Sequence, residues 1–274
     1  MSQEAVFYFD VLGFRQMAER GSASAVDALS DLAALLQQER LFPGAQTWTH
    51  RYALGDSVFR TQTDPVAAIE QASDLVFNLF QLNRSRPFLI RGAIALGEVE
   101  HLKGIFLAGE EPANIVGPAV VQAVALEQAS GLKGPRILVP EALAQSTPAS
   151  LQEWLLRPTS APWVWEILWL LPSSPGALAE CEDGIKAVCE TALELLALGG
   201  HATAGAHYRE FVLLVARSLV RLRQLAKTGG VRLKTPVEDF LSAEKLRGIL
   251  NSTSGLPDDF VSSLTALIDS LNAG

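Results

Sequence analysis

The chain has 274 residues, of which 49% are hydrophobic, so it can bury a sizeable core without disulfide or metal staples. Its 30 acidic residues outnumber its 22 basic ones, and the formal net charge is −8. This balance argues against a dedicated nucleic-acid-binding protein, which needs a basic surplus to neutralise phosphates. A small anionic ligand held through metal ions is compatible with it.

The compartment is predicted from the cysteines and the N-terminus. Cys181 and Cys189 lie eight positions apart in a helical pattern, on one face but too distant for a disulfide. Two free thiols suit a reducing compartment. Residues 1–4 are polar and lead directly into a strand-like segment, without a signal-peptide pattern. No apolar run reaches the roughly 18–20 residues of a spanning helix. We therefore expect a cytoplasmic protein without membrane contact.

The first predicted elements are a strand and a pair of helices. Residues 5–9 form a short apolar and aromatic strand that ends at Asp10. An amphipathic helix pair continues to about residue 39, where a Phe-Pro-Gly breaker at residues 42–44 follows. Asp10 is therefore expected at the end of a buried strand.

A hairpin is predicted next. Residues 47–54 and 57–62 have strand patterns and flank Gly55-Asp56, a pair typical of tight turns. This arrangement places Asp56 on an exposed loop tip.

The later elements follow from hydrophobic periodicity. Pro65 begins a helix that ends near Arg84, and residues 88–96 form a nearly continuous apolar strand of the kind that is normally central. The remaining predicted elements are a strand at 105–108, a helix at 117–130, and strands at 137–139 and 163–171. The predicted order is β-α-β-β-α-β-β-α-β-β.

The composition changes after Leu171. Residues 172–176 read Pro-Ser-Ser-Pro-Gly, a plausible linker, and the rest of the chain has helical periodicity. We predict a first region of residues 1–171 and a helical C-terminal region of residues 172–274. Basic residues spaced over positions 211–234 favour a solvated helix face, with a phosphate-facing or partner-facing surface as the alternative.

Asp10 belongs to the most informative motif, FDVLGF at residues 9–14. A carboxylate at a strand end supplies a hard oxygen ligand for Mg²⁺ or Mn²⁺. The amides of Leu12, Gly13 and Phe14, in a glycine turn before a helix, can bind a triphosphate. Taken alone, an Asp before a glycine turn is more often a helix cap.

Asp56 supplies the second carboxylate. If the first strand lies beside the hairpin, Asp56 and Asp10 can approach one pair of metal ions. Two-metal sites hold their ions about 3.5–4 Å apart and stabilise the attacking and leaving oxygens of an in-line displacement. Attack of a ribose 3′-hydroxyl on an α-phosphate needs this arrangement. Taken alone, Asp56 would be interpreted as a turn residue.

Four segments resemble, in order, the motifs of class III nucleotide cyclases. Residues 9–14 (FDVLGF) resemble F-x-D-[IV]-x-G-F, and residues 54–57 (LGDS) resemble I-G-D-[AS]. Residues 91–99 (RGAIALGEV) resemble R-[IV]-G-I-x-x-G-E-V, and residues 117–127 resemble G-x-x-V-N-x-A-x-R-L-E. The resemblance covers about residues 5–171. It implies an α+β fold with a ferredoxin-like core, a mixed and mostly antiparallel sheet, and helices on one face.

The resemblance also implies a mechanism and an assembly. Asp10, Val11 and Asp56 would ligate two Mg²⁺ or Mn²⁺ ions. One ion would lower the pKa of the ribose 3′-hydroxyl and the other would neutralise the leaving pyrophosphate. The family's site is composite, with metal ligands from one protomer and base-reading residues from the other, so a homodimer is expected.

The chain departs from the family's pattern in the 117–127 segment. The family's transition-state asparagine and arginine fall on Val121 and Ala125, which cannot donate hydrogen bonds. Such donors are typically worth about 3 kcal/mol of barrier. An active enzyme would draw this help from Arg91, Arg136 or Arg157. Otherwise the domain is a silent nucleotide-binding unit that signals through its helical region.

The base-reading positions also differ. Tyr52 and Asn114 stand where adenylyl cyclases carry Lys and Asp. The ring of Tyr52 implies a smaller base, and Asn114 offers a donor and an acceptor that suit uracil or cytosine. The pattern resembles the Pycsar cyclases, antiphage enzymes that make cyclic UMP or cyclic CMP, so we predict a uridylate or cytidylate cyclase. A purine cyclase is an alternative. The alternative to base reading is structural: Tyr52 would be a packed core aromatic and Asn114 a strand-end cap.

The four histidines have no motif of their own. His50, His101, His201 and His207 show no recognised metal or triad spacing and are interpreted as surface or packing residues. The chain contains neither a G-x-x-x-x-G-K-[ST] phosphate loop nor H-E-x-x-H.

Overall fold

The structure is a computed structural model that describes residues 2–38, 48–83, 88–103, 112–129, 131–199, 205–252 and 255–272. The breaker at 42–44, the strand predicted at 105–108, the helix end near Arg84 and His201 lie outside these described residues. Among the described residues, no helix is both long and apolar enough to span a bilayer.

The described part of the chain contains eight strands in one sheet. Their bounds are β1 (Ser2–Val11), β2 (His50–Leu54), β3 (Ser57–Gln62), β4 (Ile90–Lys103), β5 (Pro112–Val116), β6 (Ile137–Pro140), β7 (Leu156–Pro158) and β8 (Val164–Ile167). Their order is β2-β3-β1-β4-β6-β8-β7, and β5 pairs with β4. Every pairing is antiparallel except that of β4 with β6. The predicted mixed, mostly antiparallel sheet is confirmed.

The helices divide into two groups along the chain. The first group is α1 (Phe14–Arg20), α2 (Ser22–Gln38), α3 (Pro65–Leu82), α4 (Pro118–Ala129), α5 (Glu141–Gln145) and α6 (Ala149–Leu155). The second group is α7 (Leu178–Gly199), α8 (Gly205–Lys227), α9 (Val237–Phe240), α10 (Ala243–Ser252) and α11 (Asp258–Asn272). The predicted helical C-terminal region is therefore confirmed. Cys181 and Cys189 both lie in α7 as free thiols.

The first seven elements of the chain form a ferredoxin-like unit in which α1 and α2 together take the place of one helix. The strands lie in the order β4-β1-β3-β2, with α1 and α2 connecting β1 to β2 and α3 connecting β3 to β4. As its apolar pattern predicts, β4 is central, with β1 on one side and β6 on the other. The last predicted strand is shorter than expected, because β8 ends at Ile167 and the amide of Leu171 turns back to the carbonyl of Leu168.

Helices cover both faces of the sheet, so the expectation of helices on one face is wrong. Successive side chains of a strand point to opposite faces. Phe7 of β1 packs in the large core with α2 and α3, whereas Tyr8 packs against Ala119 and Ala123 of α4. We call the side that α4 covers the α4 face. The apolar residues of α4 occur all around the helix, and such a pattern does not indicate which face the helix covers.

The large core continues from the sheet into the C-terminal helices. Trp169 lies between Phe80 of α3 and Phe211 of α8, with ring centroids 6.1 and 5.9 Å away. Buried residues of the sheet, α3, α7, α8 and α11 belong to one continuous cluster. A division of the chain near residue 171 stays a prediction, and the two regions share this core.

Candidate active site

Asp10 and Asp56 lie at the same end of the sheet, where β1 ends and β3 begins. Phe9 pairs with Val58, which places Asp10 beside the beginning of β3. Asp56 is the second residue of the turn that joins β2 to β3. Gly55, the first residue of that turn, has φ of +63°, which glycine adopts without steric cost. The predicted hairpin is confirmed, and strand pairing brings the two acidic residues together.

The charges of these two carboxylates affect each other. Burial raises the pKa of Asp56, a backbone hydrogen bond opposes the increase, and the charge of Asp10 adds to it. Oδ1 of Asp10 is buried and has no hydrogen-bond partner among the described residues. A divalent cation would satisfy this oxygen and relieve the repulsion. The pair therefore fits a divalent cation.

Arg91 links Asp10 to a third carboxylate. It pairs with Asp10 across β4 and β1, and its Nη2 lies 3.3 Å from Oδ2 of Asp10. Its Nε contacts Glu127 of α4, whose side chain is fully buried. Burial raises the pKa of Glu127, and the charge of Arg91 opposes that increase. Arg91 thus offsets part of the negative charge and holds Asp10 against the sheet.

The turn after β1 is tied to the segment before β4. The amide of Leu12 donates to the carbonyl of Leu89 at 2.8 Å, so the expectation that this amide is exposed is wrong. Gly13 has φ of +84° and precedes Phe14, the first residue of α1. The amides of Gly13 and Phe14 are the remaining candidates for binding phosphate. The side chain of Val11, the other predicted metal ligand, has no donor atom, so only its backbone carbonyl fits that role.

A cavity of about 490 Å³ lies beside this turn. Gly13 lines it together with Asp27 and Asp31 of α2 and with His207 and Tyr208 of α8. The C-terminal region therefore forms part of the cavity wall next to the predicted phosphate-binding turn. The helical periodicity of residues 205–227 gives no sign of this role, because it reports only the buried face of the helix.

His207 is a candidate functional residue that has no sequence motif. The amide of Gly134 donates to its Nδ1 at 3.1 Å, so a neutral ring carries its proton on Nε2. Burial lowers the pKa of His207; the charges of Arg91 and Lys133 lower it further, and Asp10 opposes them. A neutral His207 thus offers a hydrogen-bond donor at the cavity wall.

Tyr52 and Asn114 both lie near the segment of β4 around His101. The Oη of Tyr52 lies 2.6 Å from Nδ1 of His101. Asn114 pairs with Leu102, the neighbour of His101. Burial, with a contribution from the charge of Glu4, raises the pKa of Tyr52 to about 12, which keeps its hydroxyl protonated. The Tyr52 hydroxyl therefore contacts His101, whereas Asn114 lies opposite Leu102, whose side chain points to the other face of the strand.

Tyr52 and Asn114 differ in their positions along the sheet. Strand register aligns Tyr52, through β3 and β1, with Ala93, two residues from the pair of Arg91 and Asp10. Asn114 pairs with Leu102, 11 residues further along β4 than Arg91. Because His101 reaches the Tyr52 hydroxyl, β4 bends back toward β2, and its contour length does not give the distance between Asp10 and Asn114.

Arg136 lies in a buried ion-pair cluster. Its Nη1 is 2.9 Å from Glu166, and its Nη2 contacts Glu210 of α8. Arg217 and Arg157 lie 3.2 and 3.6 Å from the same Glu166 carboxylate. A contact between substrate and Arg136, a predicted substrate-binding residue, would require this cluster to open. The cluster joins β6 and β8 to the C-terminal region.

The outer side of α4 is apolar. Val121 is 67% exposed, and Ala125, one helical turn later, is also exposed. Leu54 at the hairpin tip is 81% exposed and Val116 is 44% exposed. Isolated exposed apolar residues are ordinary, whereas a contiguous patch of them is typical of a protein contact.

Neither a protein-family model nor a curated protein sequence matches this chain. Among solved structures, the adenylyl cyclase CyaB from P. aeruginosa has 19% identity and a TM-score of 0.43, covering 60% of this chain and 93% of its own. Two structures of adenylate cyclases from Trypanosoma brucei in their monomeric state have 13% and 12% identity and TM-scores of 0.44 and 0.41. They cover 62% and 61% of this chain and 90% and 88% of their own. At these values the likenesses carry no functional argument.

Proposed function

We propose that this protein is a pyrimidine nucleotide cyclase that converts UTP, or CTP, to the 3′,5′-cyclic monophosphate and pyrophosphate. The observation that carries the proposal is the pairing of Asp10 and Asp56 at one end of the sheet, within motifs that resemble those of class III cyclases. The unsatisfied oxygen of Asp10 and the raised pKa of Asp56 support a cation at this end.

Asp10, Asp56 and the carbonyl of Val11 would hold two Mg²⁺ or Mn²⁺ ions. When bound, these ions would acidify the ribose 3′-hydroxyl and neutralise charge on the triphosphate. The amides of Gly13 and Phe14 bind phosphate oxygens at the turn before α1.

Arg91 is the best-placed source of positive charge for the transition state. Its guanidinium lies at the Asp10 and Asp56 end of the sheet and is partly exposed, whereas Arg136 is buried among glutamates. In the proposed reaction Arg91 keeps Asp10 oriented and stabilises charge that develops on the phosphate. Arg91 thereby supplies part of the charge stabilisation in the transition state that the side chains of Val121 and Ala125 cannot provide.

A homodimer completes the site. By the resemblance to class III cyclases, each site takes its carboxylates from one protomer and Tyr52 and Asn114 from the partner. The exposed apolar side of α4, including Val121, is the surface that a second copy would cover. The protonated hydroxyl of Tyr52 limits the space for the base, and Asn114 pairs with its polar edge.

The biological setting follows from the Pycsar resemblance alone. We infer that the cyclic pyrimidine nucleotide is a second messenger of antiphage defence and that the enzyme is cytoplasmic.

Product analysis tests the proposal. Purified protein is incubated with Mn²⁺ and each of ATP, GTP, CTP and UTP in turn, and products are identified by mass spectrometry. We expect cyclic UMP or cyclic CMP at rates far above those of the purine products. Faster turnover of ATP or GTP would identify a purine cyclase instead. Nucleotide binding without any product would support the silent domain, which the lack of donors at Val121 and Ala125 favours.

A further inference from the structure

A second cluster of metal-binding side chains lies on the α4 face, away from Asp10. Glu4 of β1, His50 of β2 and His101 of β4 each place one ligand atom within 4.8 Å of the others. The imidazole rings of the two histidines stack with centroids 3.8 Å apart. The two histidines, interpreted from the sequence as surface or packing residues, lie together beside Glu4. Strand pairing assembles the cluster from positions that are far apart in the sequence, so no local spacing predicts it.

Glu4 supplies a buried carboxylate. It is 3% exposed, and its Oε2 has no hydrogen-bond partner among the described residues. Its other oxygen, Oε1, accepts a hydrogen bond from Ser2 and lies 3.0 Å from Nε2 of His101. An unpaired buried carboxylate oxygen is costly. Glu4 therefore has free coordination capacity at Oε2.

His101 has the hydrogen-bonding pattern of a metal-binding histidine. Its Nδ1 lies 2.6 Å from the hydroxyl of Tyr52, and its Nε2 faces Glu4 at 3.0 Å. Metal-binding histidines usually donate the N–H that is not on the metal side to an oxygen. If Nδ1–H donates to Tyr52, Nε2 is the ligand atom. The 3.0 Å separation is close to the about 3.3 Å between neighbouring ligands of a tetrahedral ion with bonds of about 2.0 Å.

We propose that Glu4, His50 and His101 bind one Zn²⁺ ion, with Tyr52 as the hydrogen-bond partner of His101. Two imidazoles and one carboxylate suit Zn²⁺, whereas Mg²⁺ and Ca²⁺ take oxygen ligands. Three protein ligands leave a fourth position for water. The site shares Tyr52 with the proposed base-binding region, but its donor set differs from that of Asp10 and Asp56, and zinc binding can be measured without the cyclase reaction. Its ion fixes the hydroxyl of Tyr52.

Zn²⁺ titration of the full chain, after treatment with a chelator, tests this proposal by calorimetry. All variants carry Asp10→Ala, so that the site of Asp10 and Asp56 does not contribute to the measured Zn²⁺ binding. We expect one Zn²⁺ per chain, and bound Co²⁺ should show a visible absorption spectrum that Zn²⁺ abolishes. Tyr52→Phe should weaken binding by about 10–100-fold, the usual effect of losing an outer-sphere partner.

Ligand variants provide the sharper comparison. Glu4→Gln keeps the shape of the side chain, and His50→Ala changes a half-buried position. Each should weaken Zn²⁺ binding by more than Tyr52→Phe does. His207→Ala removes a histidine that lines the cavity beside Gly13, and it should leave Zn²⁺ binding unchanged. Circular dichroism checks that each variant is folded. If Glu4→Gln does not fold, the Zn²⁺ affinity of His50→Ala tests the ligand assignment instead.

Two results would overturn the proposal. Failure of the chain to bind one Zn²⁺ would show that Tyr52, His101 and Glu4 form a hydrogen-bonded chain only. Unchanged affinity in both ligand variants would place the ion elsewhere. Neither result depends on cyclase activity, so the outcome is separate from that of the product analysis.

Discussion

At the scale of single residues, two acidic side chains were predictable and two histidine environments were not. Asp10 ends a strand pattern three residues before Gly13, and Asp56 follows Gly55 in a turn pattern, so the sequence alone places each near the end of a strand. The partners of His101 and His207 are Glu4 and Gly134, which are distant in the sequence. Contacts of this kind depend on strand pairing and helix packing, which no local pattern encodes.

Replacing Asp56 should abolish cyclisation without unfolding the protein. Asp56→Asn removes a metal ligand from a half-buried turn position and also removes its repulsion with Asp10, so thermal stability should be unchanged or higher. Turnover is measured with Mn²⁺ and UTP or CTP, and unfolding by calorimetry. Asp269→Asn, at an exposed position of α11, is the matched control and should keep full activity. Near wild-type turnover in Asp56→Asn would refute the metal assignment.

His207 should make stability depend on pH in a defined direction. Its pKa is lowered in the folded protein, so the unfolded chain binds the proton more tightly. The free energy of unfolding should therefore fall as pH decreases below the ordinary histidine pKa of about 6.5 and should be unaffected by this residue above it. Urea unfolding of wild type and His207→Gln over this range measures the effect. A difference between them that does not change with pH would contradict the prediction.

At the scale of elements, strand identity was more predictable than helix placement. The continuous apolar pattern of β4 and the Gly-Asp turn correctly indicate a central strand and a hairpin. The apolar residues around α4 do not reveal which face of the sheet it covers. The extent of β8 was overestimated, because the residues from Leu168 onward are buried in a turn rather than paired in a strand.

Gly92 should be essential for the packing of β4 against β1. A Cβ atom at this position would clash with the carbonyl oxygen of Tyr8 and would lie 2.8 Å from Cβ of Phe9. Overpacking of this kind costs about 1–3 kcal/mol, so Gly92→Ala should lower the free energy of unfolding by that amount. Gly97→Ala in the same strand is the control, since its Cβ would meet Ala119 at 3.4 Å. Equal stability of the two variants would contradict the packing described for β4.

At the scale of the whole molecule, a buried ion-pair cluster joins the sheet to the C-terminal helices. Glu166 is 1% exposed and accepts contacts from Arg136, Arg157 and Arg217. Burial lowers the pKa of Arg217 to about 10, and the charge of Glu166 opposes that decrease. The linker composition after Leu171 predicts a boundary there, but such a pattern cannot reveal a cluster formed by charges from both sides of it.

Removing Glu166 should therefore destabilise the whole chain. Glu166→Gln leaves buried arginine charge without its partner, which typically costs about 3–5 kcal/mol. Urea unfolding should show this loss as one shifted transition, because the two regions share a core. Asp269→Asn, which removes an exposed pair with Arg247, should change stability by less than about 1 kcal/mol. A loss in Glu166→Gln no larger than in this control would contradict the prediction.

The central claim is that the Asp10 and Asp56 site of one protomer and the Asn114 region of its partner act on one nucleotide. Asp56→Ala and Asn114→Ala chains, each inactive alone, are mixed in equal amounts, and cyclic nucleotide formation is measured after subunit exchange. Half of the dimers should be mixed, each with one intact site, so about a quarter of wild-type activity should return. No recovery, with mixed dimers confirmed by differently tagged chains, would contradict the composite site.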